Sequence, residues 1–320
     1  MHKLLFRVSS TVSHFDHLFR ILSPKERESG RPPERWLVFL SLFGSVLGWG
    51  WAWVGIRSAM YYYESGQLAL GSYAIATLTL LPFWIKRGAH LPKLHHWPIF
   101  IIMGLTGFTF YNFFVNLGEK TVTAGTASLL GSSLPILTTL GAWLFFKEKL
   151  TLLRWGGIML AFWGTTMTTF KADDSFQFSQ GALFILLATV FSTIYGLLVK
   201  RMLYYYSSVE ITIWSISIGT LGMIPLGHGL LNATFTAPWS ATINLVLLGV
   251  FPGALCYLLF SFVITRVNMA SAFSSMFLLP ITSIILSWFL LGELPSWIAC
   301  IGGAITLLGA YLVNTEKLLK

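Results

Sequence analysis

From about residue 36 to residue 314 the chain alternates long apolar runs with short polar stretches, and that alternation restricts its fold more than any other feature. A helix needs about 20 mostly apolar residues to cross a bilayer. Ten runs approach that length, roughly 36–57, 66–86, 97–118, 122–146, 152–170, 181–199, 208–229, 241–264, 268–292 and 295–314. A backbone in lipid must satisfy its own hydrogen bonds, so each continuous run predicts a helix. A membrane β-barrel would instead show alternating segments of about ten residues. The residues are 55% hydrophobic and only 10% charged, against about 25% charged in soluble domains. The expected fold class is therefore all-α, a polytopic membrane protein with ten transmembrane helices embedded in the lipid bilayer.

The net charge of +9 could suggest nucleic acid, but its placement argues for no nucleic-acid partner. Ten spans put both termini on one side. That side carries 18 of the 21 Lys and Arg residues, and the other carries Arg57, Lys120 and Lys171. Such asymmetry marks the cytoplasmic face, so both termini are expected there. In the N-terminal segment 1–35, Leu4, Val8, Val12, Phe15, Leu18 and Leu22 recur at helical spacing. That fits a helix lying on the inner leaflet, or equally a basic tail; no cleavable signal is evident. Cys256 and Cys300 both lie in apolar runs and read as small packing residues.

The run SLLGSSLPILTTLGAWLFFKEK, residues 128–149, is echoed by FSSMFLLPITSIILSWFLLGEL, residues 273–294. With an offset of 145, Leu134-Pro135-Ile136 meets Leu279-Pro280-Ile281, Trp143 meets Trp288, and Glu148 meets Glu293. Gly157 meets Gly302 and Gly164 meets Gly309, without a gap. Residues 36–170 and 181–314 thus read as two copies of a five-span unit. Five is odd, so the second copy enters the membrane inverted. The 5+5 inverted repeat is the architecture of carriers with a midplane site, because each half can take the other's shape.

Candidate site residues follow from polarity at depth. Pro135 and Pro280 fall mid-span, where each removes a backbone donor and kinks the helix; as a pair they are candidate hinges. Ser128 and Ser132 precede Pro135 on its face, and Phe273 and Phe277 are their equivalents. Trp49 lies deep in span 1, whereas Trp53 fits an interfacial anchor. Tyr111, Asn112, Tyr195 and Tyr257 add hydroxyl and amide groups, each of which must find a partner when buried. Packing hydrogen bonds between helices are the bland alternative for all of them. Glu148 and Glu293 close the fourth and ninth spans.

No Asp, Glu, Lys or Arg stands in the middle of any span. Proton-coupled carriers typically hold an ionisable group at depth, so an uncoupled carrier, or coupling through an edge group, is expected. Aromatic walls with scattered hydroxyls suit a neutral, zwitterionic or cationic small molecule. An intramembrane enzyme would need a catalytic constellation, such as HExxH, that the sequence lacks. No cofactor and no metal site is expected. Gly157, Ala161 and Thr165 repeat as Gly302, Thr306 and Ala310, small faces that bring helices close. Packing within one chain is preferred there to a homodimer seam through spans 5 and 10.

These features together resemble the EamA-type branch of the drug/metabolite transporter superfamily. Trp49-Gly50 followed by Arg57, Pro135 followed by Glu148, and Pro280 followed by Glu293 match its pattern over about residues 36–314. Members often carry an Arg early in span 2, where this chain has Ser72 in GSYAIA. The resemblance implies a bacterial inner-membrane carrier of small metabolites. Export of neutral or aromatic amino acids or related amphiphiles leads; uptake or exchange of nucleoside-like or cationic metabolites is the alternative.

Overall fold

A computed structural model describes residues 35–86, 88, 90–146, 150–169, 179–266 and 275–318. The N-terminal segment 1–34, Glu148 and Phe273 lie outside the described residues. Every regular element among those described is helical. The helices are α1 (Arg35–Ala59), α2 (Ser65–Lys86), α3 (Leu94–Glu119), α4 (Ala124–Phe145), α5 (Leu152–Thr169), α6 (Gln180–Met202) and α7 (Ser208–Leu226). They continue as α8 (Trp239–Val263), α9 (Ser275–Leu291) and α10 (Trp297–Leu318). Seven of them, α1–α4 and α6–α8, are long and apolar enough to cross a membrane by that measure alone; α9 and the Trp297–Val313 stretch are shorter apolar helices.

The helices start where acceptors are supplied for their unpaired N–H groups. Thr123, Ser179 and Ser207 cap α4, α6 and α7, and Ser207 with Glu210 forms a reciprocal capping box. Side chains that face outward are apolar: Leu78, Phe145, Phe162, Trp163 and Phe289 are all exposed. Polar residues such as Ser45, Thr109, Asn112, Asn116 and Ser283 are buried. This inversion of the soluble pattern suits a surface solvated by lipid, where an apolar exterior carries no penalty and interior polar groups pair with one another.

Packing repeats under the 145-residue shift. Helix α1 packs on α8 and α9, and its counterpart α6 packs on α3 and α4. Likewise α2 packs on α8 while α7 packs on α3. Counterparts in contact run antiparallel. Thr77 of α2 bonds Thr220 of α7 at 2.9 Å, while Gly66 at the start of α2 abuts Leu226 at the end of α7. In the most extensive pair, Gly157 and Gly164 of α5 lie against Gly309 and Gly302 of α10. Here glycine is required by close approach: a Cβ on Gly157 would stand 2.8 Å from the Gly309 carbonyl oxygen. The small-residue faces are thus occupied within one chain.

Three local features depart from uninterrupted spans. Helix α3 widens into a π turn at Leu105–Phe110, and α8 does so at the equivalent Phe251–Leu255. Helix α4 breaks at Ser132–Ser133, so Pro135 opens a new segment, Leu134–Phe146. In α9 a 3₁₀ turn at Ser275–Leu278 precedes Leu279–Leu291, with the buried Pro280 in its first turn. Proline cannot donate to the preceding turn, which is why both interruptions sit just before it. The expected seventh run to residue 229 stops at Leu226, and an unforeseen short helix, Leu230–Thr236, follows.

Candidate functional site

The candidate site is built around the two π turns, where Phe108 of the first approaches Tyr257, just after the second. Phe108, in the first π turn, is fully buried. Its ring centroid lies 5.6 Å from Tyr73 of α2, 5.3 Å from Tyr195 of α6 and 5.7 Å from Tyr257 of α8. Tyr257 in turn meets Trp49 of α1 edge-on at 5.2 Å, and Trp49 meets Phe260 at 5.4 Å. These separations and angles are those that aromatic quadrupoles favour. Gly107 makes the cluster possible, since a Cβ there would stand 2.5 Å from the Tyr195 ring.

A π turn leaves carbonyls without their usual helical donor. Side chains of the site take them. The Asn112 amide donates to the Phe108 carbonyl at 2.8 Å, and the Trp49 indole N–H donates to the Pro252 carbonyl at 3.2 Å. The hydroxyls of Tyr73, Tyr111 and Tyr195 lie near that of Tyr257, and the Tyr73 hydroxyl also lies near the Asn112 side chain. The four rings are half-buried. Tyrosines from four helices therefore present hydroxyls to one region with aromatic walls.

Of the residues expected from sequence, Trp49, Asn112, Tyr195 and Tyr257 come together here. Tyr111 stands at the border, its ring packed against the neighbouring cluster of Val115, Ala127, Leu130 and Ala188. Others lie elsewhere. Ser128 and Ser132 donate to the carbonyls of Gly125 and Leu129 within α4, supplying backbone pairing just before the proline break. Phe277 packs against the cluster of Ile136, Ile158 and Val313 beside the α5–α10 crossing. Trp53 is partly buried, packed against the cluster around Leu130 and beside Gly131. A separate groove lined by Leu47, Trp51, Leu247, Phe251 and Leu286 is wholly apolar and open, which suits lipid chains rather than a polar solute.

Sequence reasoning missed Tyr73 and Phe108. A tyrosine in the middle of an apolar run was the available signal for Tyr73; Phe108 gives none, because phenylalanine is ordinary in any span. It also left the span-end charges unpaired. Arg57 Nε bonds both carboxylate oxygens of Glu293, at 3.2 and 3.3 Å, and its Nη1 donates to the carbonyls of Glu119 and Lys120. The pair joins the end of α1 to the end of α9. Glu119, the last residue of α3, is completely buried.

A model of the EamA-like transporter family matches residues 35–170 and again residues 179–315. The chain belongs to the EamA-like transporter family. This EamA-like protein is 33% identical over 261 residues to "Uncharacterized transporter YdfC" of Bacillus subtilis (strain 168), covering 82% of this chain and 85% of that one. It is 29% identical over 274 residues to "Probable terminal-alkyne amino-acid exporter" of Streptantibioticus cattleyicolor, covering 86% of this chain and 92% of that one. A solved crystal structure shares the fold with a TM-score of 0.59 at 19% identity, over 88% of this chain and 98% of the other. It is thus a multi-pass membrane transporter with bacterial relatives.

Proposed function

We propose that this chain exports neutral or aromatic amino acids, or related amphiphiles, by alternating access between two inverted five-helix repeats, residues 36–170 and 181–314. All ten apolar runs then cross the bacterial inner membrane, with both termini in the cytoplasm. The observation that carries the reading is the ring of Tyr73, Tyr111, Tyr195 and Tyr257 around Asn112, bounded by Trp49 and Phe108. Aromatic faces take an apolar side chain and, through their quadrupoles, an ammonium group. The hydroxyls and the amide supply hydrogen bonds to a carboxylate without the strong field of an Arg or Lys. The exporter named in Streptantibioticus cattleyicolor supports an amino-acid cargo. The antiparallel pairing of α2 with α7 and of α5 with α10 supports inversion, and the breaks before Pro135 and Pro280 are hinges in this reading.

The test is efflux of labelled phenylalanine, tryptophan, leucine and glycine from proteoliposomes. The apolar side chains are expected to leave faster than glycine. Tyr195→Phe and Tyr257→Phe should each slow phenylalanine efflux roughly 2- to 10-fold, the worth of one hydrogen bond of about 0.5–1.5 kcal/mol. No efflux of any amino acid from liposomes holding well-folded protein would remove this cargo class.

A further inference from the structure

At the end of the bundle that holds Arg57 a carboxyl group is sealed off from water. Glu119 terminates α3 with no exposed surface, and neither of its carboxylate oxygens has a hydrogen-bond partner. One helical turn earlier on the same face, the Asn116 Oδ1 is buried and unpartnered as well, while the Asn116 amide donates to the Ser65 carbonyl at 3.0 Å. The cation beside it is already committed. The hydrogen bonds of Arg57 go to Glu293 and to the backbone carbonyls of Glu119 and Lys120. None reaches the Glu119 carboxyl.

The groups that face Glu119 are few. Helix α1 contributes Arg57, the end of α9 contributes Glu293, and α3 itself contributes Tyr111. Lys120, Glu64 before α2 and His228 after α7 belong to the same end and are exposed. The described starts of α4 and α6 bring no charge. One guanidinium therefore stands between two carboxyl groups, and only one of them is paired.

We propose that Glu119 is a proton-operated latch on this end of the carrier, with the Arg57–Glu293 pair as the element it biases; this rests on the carrier reading above. As the neutral acid, Glu119 can stay buried at small cost. As a carboxylate without donors it is expensive to bury, and it sets a second anion beside the one cation. Water can relieve both only if α1, α3 and α9 part. The closed arrangement therefore holds the proton more tightly than the open one. By linkage, raising the pH drains the closed population and lowering it restores it. The shift of 145 pairs Glu119 with Ile264 and Arg57 with Met202, so neither group has a charged equivalent in the other repeat. Proton control acts from one side, and no proton need cross with the cargo.

The experiment is an electron-spin distance measurement on the full chain in lipid nanodiscs, without cargo, between labels at Tyr62→Cys and Trp297→Cys. Cys256 and Cys300 are replaced by alanine. From pH 5 to pH 8.5 the distance distribution is expected to move from one short population to a mixture with a longer one. Glu119→Gln, a neutral mimic of similar shape, should abolish the shift and hold the short distance throughout. Glu119→Asp should restore a pH-dependent shift, which a merely structural residue would not do. A distribution that ignores pH in the parent, or a shift that survives in Glu119→Gln, would overturn the latch. Because no cargo is present, a failed amino-acid assay leaves this result standing, and a flat pH response leaves the cargo reading standing.

Discussion

Gly164→Val and Gly302→Val are each expected to yield little folded protein. The two glycines face each other across the α5–α10 crossing, and each Cβ would run into backbone rather than into the flexible tip of a side chain. On Gly302 it would stand 2.6 Å from the Gly164 carbonyl oxygen and 2.8 Å from the Thr168 nitrogen. On Gly164 it would stand 2.5 Å from the Thr306 nitrogen. The helices would have to separate along their length, giving up the Thr165–Thr306 contact at 3.3 Å and the packing around Ala161 and Ala310. Overpacking typically costs about 1–3 kcal/mol and more where nothing can yield, so the upper end applies here. Gly156→Ala is the control one residue from Gly157, since a Cβ there meets nothing within 4 Å. Gly156→Ala should elute and melt like the parent in mild detergent. The valine variants should aggregate or melt well below it. Parent-like melting of Gly302→Val would show that the two helices do not cross at these residues.

Trp49→Ala should cut efflux at least tenfold, and Trp49→Phe should separate the two things this side chain does. Its ring supports Tyr257 and Phe260, and its N–H holds the Pro252 carbonyl at the π turn of α8. Alanine loses both; buried Trp or Phe to alanine costs about 3–5 kcal/mol. Phenylalanine keeps an edge-on ring but loses a smaller share of the indole's bulk and the hydrogen bond, the latter costing about 1 kcal/mol, or more where the carbonyl is left buried and unpaired. Melting temperature should therefore fall sharply for alanine and slightly for phenylalanine. Efflux of labelled phenylalanine should fall at least tenfold for alanine, with a smaller loss for phenylalanine. Equal efflux in the parent and Trp49→Ala would place the cargo path away from Tyr257.

Much of the fold was legible because lipid imposes a simple code. A backbone without water must be helical, so a run such as 181–199 could only be a helix, and α6 covers it. The shift of 145 could be read because Pro, Trp and Gly rarely coincide by chance in apolar stretches; the glycines it singled out are those that touch in the α5–α10 crossing. Tyr195, Tyr257, Asn112 and Trp49 could be picked out for a related reason, since a polar tip at depth needs a partner. Ser128, Ser132 and Phe277 met the same criterion or its repeat and went elsewhere. Serine can satisfy itself on its own helix, and a helical wheel does not tell which neighbour a face meets.

The sequence by itself determined the all-helical class and the order of the long apolar runs, because each depends on short segments and on a solvent that tolerates no unpaired backbone. The tertiary structure alone decided which segments meet. It brought Tyr73 and Phe108 into the site, widened α3 and α8 into π turns, and sealed Glu119 beside an Arg57 already bound to Glu293, 236 residues away in the chain. Those outcomes depend on distances between helices, and a carboxyl at the end of an apolar run is written identically whether water or protein lies beside it.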